Sequence, residues 1–156
     1  MNYLKNIIRF FLIILPKKYI SRLGFVNYYI PYINGPTDRL VLKGEYSDIS
    51  FSNTIFNTMS GKITIGKNCF FSQNCMLLTG KHDYSKCDSD ILRDTVIQNR
   101  DIFIGDGTWL ASGCIILGNV KIGKNCVISA GAVVTKNMPD NSVIAGIPAK
   151  VIKKIG

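Results

Sequence analysis

One histidine stands in the 156 residues, His82, within the polar run Thr79-Gly80-Lys81-His82-Asp83-Tyr84-Ser85-Lys86-Cys87-Asp88. A lone histidine is more often a surface residue or a satisfied core residue than a catalyst. An imidazole nevertheless titrates near neutrality and is the usual general base at that pH. Five cysteines accompany it: Cys69, Cys75, Cys87, Cys114 and Cys126. The odd number, without a Cys-x-x-Cys pair, reads as free thiols in a reducing compartment, and with a single histidine it argues against a protein zinc site. Cys87 is close enough in sequence to His82 to suggest a nucleophile and base, but a flexible pair five residues apart specifies that geometry weakly. The single tryptophan, Trp109, is read as a subunit contact or a ligand contact. The C-terminal stretch Gly146-Ile147-Pro148-Ala149-Lys150, followed by Val151-Ile152-Lys153-Lys154, reads as a cap on the last element or as a basic rim for phosphates.

Some scaffold must position these groups, and its period is six. An aliphatic residue recurs at Ile104, Leu110, Ile116, Ile122, Ile128 and Val134, and the same spacing holds at Ile65, Phe71 and Leu77. Neither the helical period nor strand alternation produces six, so the pattern is a structural repeat. Four positions after the aliphatic residue comes a compact one: Cys69, Cys75, Thr108, Cys114, Val120, Cys126, Ala132. Four of the five cysteines are thereby read as core filler. Gly66, Gly105 and Gly123 directly follow their aliphatic residue, where a corner needs positive φ or a close backbone approach. The expected fold is all-β, a left-handed parallel β-helix of hexapeptide repeats in which three hexapeptides make one triangular coil. One coil cannot bury its own inner face, so several must stack.

The two repeat runs are 39 residues apart between Ile65 and Ile104, which is not a multiple of six. A loop is therefore inserted around residues 79–101, with His82 at its start. Long loops leaving a regular scaffold are more often functional than incidental. Residues 40–62 are expected to form an imperfect first turn or two. Residues 1–37 contain no acidic side chain and carry Lys5, Arg9, Lys17, Lys18 and Arg22. Leu4, Ile7, Ile8, Phe11, Leu12 and Leu15 recur at helical spacing, so the expected division is a basic amphipathic helical segment over 1–37 and a β-helix over 38–156. The apolar stretch from Ile7 to Leu15 is too short for a spanning helix, and Pro16-Lys17-Lys18 supplies no signal-peptide cleavage site. The chain is expected in the cytoplasm, with contact to the inner face of the membrane through residues 1–37 as one role for them and capping of the solenoid as the other.

The formal charge of +9 points to an anionic partner. The basic residues are scattered, with no zinc-finger spacing and no RNA-recognition aromatic motif, so nucleic acid is not the expected partner.

Taken in order, T-G-K-H-D, T-W-L-A-S-G-C-I-I-L-G-N-V-K-I-G, S-A-G-A-V-V-T-K and A-G-I-P-A-K-V-I resemble the hexapeptide-repeat acyltransferases, in the branch of the maltose, galactoside and xenobiotic acetyltransferases. The resemblance spans roughly residues 60–152. It implies a homotrimer with acetyl-CoA in the groove between neighbouring subunits. His82 matches the family's catalytic histidine, and Trp109 the tryptophan near the thiol end of the cofactor. Ser112, Ala130, Thr135 and Lys136 match positions contacting pantetheine or phosphates, and Lys150 a basic position near the adenosine. Ala111 departs from the pattern, since glycine commonly follows the Trp-aliphatic pair. Residues 1–60 match nothing in the sugar acetyltransferases, so the acceptor is not implied.

The resulting expectation is direct acetyl transfer from acetyl-CoA to a sugar hydroxyl, on a cell-surface polysaccharide or its precursor, with His82 as base and no metal. The alternatives are N- or O-acetylation of a small molecule such as an amino sugar or antibiotic, and a non-enzymatic β-helix scaffold. A trimeric carbonic-anhydrase-like activity is excluded, because it needs several histidines.

Overall fold

A computed structural model describes residues 31–46, 51, 53–83, 85 and 96–156. In chain order the strands are β1 (Tyr32–Asn34), β2 (Leu40–Leu42), β3 (Ile55–Asn57), β4 (Ile63–Ile65), β5 (Phe70–Phe71), β6 (Met76–Leu78) and β7 (Ile102–Ile104). They continue with β8 (Trp109–Leu110), β9 (Ile115–Leu117), β10 (Val120–Ile122), β11 (Val127–Ile128), β12 (Val133–Val134), β13 (Ser142–Gly146) and β14 (Ala149–Lys154). These make three sheets: A in the order β1-β3-β6-β9-β12, B in the order β10-β7-β4-β2, and C in the order β14-β13-β11-β8-β5. All pairs are parallel except β13–β14. The chain visits B, C and A in rotation and climbs one rung per circuit. This is the left-handed parallel β-helix expected from the six-residue period.

The repeat explains the core. Ile65, Phe71, Leu77, Ile104, Leu110, Ile116, Ile122, Ile128 and Val134 are all buried, as are the compact residues Cys69, Cys75, Thr108, Cys114, Val120, Cys126 and Ala132. Regular coils advance 18 residues, shown by the pairing of Ile104 with Ile122 and of Leu110 with Ile128. Ile65 nonetheless pairs with Ile104, so the inserted loop leaves the register of the rungs intact.

Corners use two devices. Three residues after the inward aliphatic, the chain enters the left-handed region at Asn68, Asn74, Asn119 and Asn125, and at Gly107, Gly113 and Gly131. Asparagine and glycine are the residues that adopt this region at least cost. Asparagine or glycine thus stands at these positions with the same period of six. Gly66, Gly105 and Gly123 serve differently, by close approach: a Cβ on Gly105 would lie 2.5 Å from the backbone of Gly123. The next coil then supplies a side-chain oxygen to the corner. Asp106 Oδ1 accepts from Lys67 N at 2.9 Å, and Asp140 Oδ1 from Lys124 N at 2.8 Å.

The two ends of the prism close differently. At the early end Phe51, Phe56 and Phe71 meet edge to face, with centroids 4.9–6.3 Å apart, and Tyr46 covers Phe51. Aromatic side chains fill the irregular first coils where the hexapeptide pattern fails. At the late end the chain reverses, and β14 lies antiparallel on β13. Residues 1–30, and with them the expected amphipathic helix, lie outside the described residues. Tyr32–Asn34, ahead of the division drawn at 37/38, already pairs with β3 as part of sheet A. Among the described residues no helix is long and apolar enough to cross a membrane.

Candidate active site

Sheet A has two long edges, and the chemistry-bearing residues divide between them. On the edge leading to sheet B, the corners grow unevenly: residues 118–119 join β9 to β10, 58–62 join β3 to β4, and 79–101 join β6 to β7. The insertion thus begins directly after Leu78 and ends directly before Ile102. His82 sits on its entering limb, exposed, and pairs with Val96 in a single antiparallel bridge. Ile97 N donates to Lys81 O at 2.9 Å, so 81–82 and 96–97 form a short ladder at the root of the loop. Asp83 Oδ1 accepts from Ser85 N at 3.0 Å and from Ser85 Oγ at 2.6 Å. Thr135 and Lys136, which follow β12, are exposed on this same edge.

On the other edge, where sheet C turns into sheet A, stand Ser112 and Ala130, exposed on successive rungs, with Gly131 N donating to Ser112 O at 3.0 Å. Trp109 opens β8 on the adjoining face of sheet C and remains 43% exposed. Its indole rests beside Phe70, centroids 6.2 Å apart, and its Nε1–H donates to Ser72 Oγ at 3.1 Å. Phe70 and Ser72 were not singled out in the sequence. Nothing in the hexapeptide pattern distinguishes an outward residue that meets a tryptophan on the next rung from one that meets water. Lys150 lies beyond both edges, on the exposed antiparallel strand β14.

His82 and Thr135-Lys136 therefore occupy one edge, Trp109, Ser112 and Ala130 the other, with the width of sheet A between them. At roughly 3.3 Å per residue a three-residue strand spans about 10 Å. A single chain does not bring the two groups into one cavity. The outer face of sheet A between them is largely apolar: Ile55, Met76, Ile115 and Val133 form one row, and Leu78 and Leu117, continued by Asn57, another, all half-buried.

The cysteines resolve as packing. Cys69, Cys75, Cys114 and Cys126 are buried free thiols, while Cys87 lies outside the described residues. The Cys114 thiol is pushed above its ordinary range, first by the bond it donates to Cys75 Sγ and then by burial. Burial likewise raises Cys69 and Cys126. The bond from Cys114 lowers Cys75 in turn, while the other three thiols, held protonated in an apolar prism, are poor nucleophiles. Among the described residues no three His, Cys, Asp or Glu side chains gather as a metal site.

Residues 101–136 match the family of bacterial transferase hexapeptides (six repeats). The galactoside O-acetyltransferase of Lactococcus lactis is 39% identical over 93 residues, which cover 60% of this chain and 44% of that protein. A chain of Escherichia coli named as a lipopolysaccharide biosynthesis O-acetyl transferase is 26% identical over 147 residues, covering 87% of this chain and 75% of its own length. Among solved structures, a maltose O-acetyltransferase from Clostridium difficile aligns with a TM-score of 0.65 at 28% identity, over 99% of this chain and 86% of that one. A galactoside acetyltransferase in complex with coenzyme A aligns with the same score and identity, over 81% of this chain and 60% of that one. The chain spans less than half the length of the galactoside relative.

Proposed function

We propose that this chain, which is similar to hexapeptide-repeat acetyltransferases of the galactoside and maltose O-acetyltransferase branch, moves an acetyl group from acetyl-CoA to a sugar hydroxyl, with His82 as general base. The observation that carries this reading is the position of the only imidazole in the sequence, at the root of the insertion between β6 and β7. In the proposed step, neutral imidazole takes the acceptor hydroxyl proton as that oxygen bonds to the thioester carbonyl carbon. The carbonyl becomes an oxyanion, for which backbone N–H groups near the loop are the available donors. The C–S bond then breaks, and the imidazolium returns its proton to the leaving thiolate. No enzyme-bound acyl group is formed, in keeping with cysteines that serve as core.

The division of residues between two edges supports a homotrimer. If the apolar outer face of sheet A packs against a neighbouring copy, the His82 edge of one subunit meets the Trp109–Ser112 edge of the next. Acetyl-CoA would then lie along that seam, its thiol end near Trp109 and its pantetheine along Ser112 and Ala130. Thr135, Lys136 and Lys150 would serve the phosphates and the adenosine end.

For the acceptor we favour a cell-surface glycan or its lipid-linked precursor, modified on the cytoplasmic side of the membrane. Two features support it: the similarity to the lipopolysaccharide relative over most of this chain, and the acid-free basic residues 1–37, suited to an anionic leaflet.

Calorimetry with acetyl-CoA, run beside an assay of CoA release, tests the proposal. Micromolar binding near one site per chain, with release lost in His82→Ala and binding kept, is expected. Loss of a positioned base typically removes about 10²–10⁴-fold in rate. Absence of binding at millimolar acetyl-CoA would leave the fold without this activity.

A further inference from the structure

We propose that Arg100 is a positioning residue for His82: its guanidinium ties the two limbs of the inserted loop together at their root, and so fixes the direction in which the loop presents the imidazole. The inference rests on the reading of His82 as base.

The guanidinium bridges two chain segments. Nε donates to Thr79 O at 3.1 Å, three residues before His82, and Nη2 donates to Gly118 O at 2.9 Å on the next rung. Its own backbone N–H donates to Ser60 O at 3.0 Å on the previous rung. Arg100 thereby links the entering limb of the loop, the leaving limb and the corners on either side. The neighbours are shaped around it. A Cβ on Gly61 would lie 2.6 Å from Arg100 C, and one on Gly118 would lie 2.8 Å from Arg100 O and 2.9 Å from its Cβ. Both corners thus depend on glycine where the residue crosses.

The entering limb is fixed independently at Thr79, which is fully buried. Its Oγ1 donates to Asn57 O at 2.7 Å and accepts from Ser60 N at 3.1 Å. Beyond Thr79, Lys81 N reaches Ser60 Oγ at 3.4 Å and Lys81 O accepts from Ile97 N at 2.9 Å. The path from the guanidinium to His82 is therefore short: Thr79, Gly80, Lys81, then the imidazole. Without the fork, Gly80 becomes a hinge between a fixed corner and the single bridge at His82. Errors of about 1 Å in the placement of a reacting group can cost on the order of 10²-fold in rate. Lysine does not replace the fork, because an ammonium is a single point donor on a flexible stem.

The sole histidine and the full-length chain make the test direct. The proton–carbon correlation of the one imidazole is recorded for wild type, Arg100→Ala and Arg100→Lys, well below each melting temperature. Acetyl-CoA hydrolysis is followed in parallel. Arg100→Ala is expected to move or broaden the imidazole signal and to lower kcat by about 10-fold or more, with KM for acetyl-CoA within about twofold of wild type. Arg100→Lys is expected to behave like the alanine variant, and it carries the test should alanine fail to fold. An imidazole signal and kcat at wild-type values, in a variant whose melting temperature has fallen, would make Arg100 a support of the coil and overturn the proposal. Full turnover in His82→Ala would remove the base instead, and the link from Arg100 to the imidazole signal would still be decided by the spectra.

Discussion

Trp109 is tethered to the rung before its own: its indole Nε1–H donates to Ser72 Oγ at 3.1 Å, while Ser72 N donates to Leu110 O at 2.8 Å. The serine is thus anchored by its backbone to the strand that carries the tryptophan, and its side chain turns that anchorage onto the ring. With a single tryptophan in the chain, the contact can be read optically. Ser72→Ala is expected to shift indole emission to longer wavelength and lower its anisotropy, while the melting temperature changes little. Acetyl-CoA is expected to quench that emission in wild type and to bind several-fold more weakly to the variant.

The two faces of β9 predict opposite phenotypes for adjacent residues. Ile116 is fully buried in the prism, so Ile116→Ala should destabilise each chain by about 2–5 kcal/mol. Ile115 points outward on the apolar face of sheet A. If the proposed trimer forms through this face, Ile115→Glu is expected to leave the circular dichroism spectrum unchanged while light scattering reports a trimer for wild type and a monomer for the variant. A trimer that survives this substitution would place the interface on another face.

Alkaline stability isolates Tyr46. Its hydroxyl donates to Gly66 O and accepts from Cys69 N, and burial pushes its titration up to about 12 from about 10 for the free phenol. The folded state holds the proton longer than the unfolded chain does. The stability tied to the neutral phenol is therefore present in full below about pH 10 and is lost as pH rises toward about 12. Tyr46→Phe should be less stable at neutral pH by about 1 kcal/mol, and the gap to wild type should narrow over that alkaline window. Chemical denaturation at a series of pH values measures both.

Glycines at successive corners should respond differently to alanine. Gly105→Ala drives a methyl to 2.5 Å from backbone atoms of the next rung, and expansion of the stack is the only relief. Gly113 has positive φ but open space around its missing Cβ. Gly113→Ala is expected to cost about 1 kcal/mol, and Gly105→Ala several-fold more, by thermal unfolding.

The rungs were legible in the sequence because each inward position admits only a narrow range of volumes. Ile104, Leu110 and Ile116 mark the strands, and Cys114 or Cys126 marks the space beside them. The limits of the insertion, Leu78 and Ile102, could be read from a shift in phase. His82 was legible because it is unique and out of phase. Arg100 and Ser72 were not, since each acts on atoms that the fold brings near: Arg100 on the carbonyls of Thr79 and Gly118, Ser72 on an indole 37 residues away. The expected close approach at Gly66, Gly105 and Gly123 is present, whereas the left-handed corner falls to the asparagines and glycines three residues past the inward aliphatics.

Because Ile65 pairs with Ile104 as directly as Ile104 pairs with Ile122, the prism does not register how much chain departs between Leu78 and Ile102. The loop's length and composition are free variables, provided that both limbs return to neighbouring rungs. On the proposed function, substrate preference can then diversify at this one corner without re-solving the folding problem, while the opposite edge, whose described corners at 72–75, 111–114 and 129–132 have the same short length, would keep a fixed ruler for a donor of fixed length.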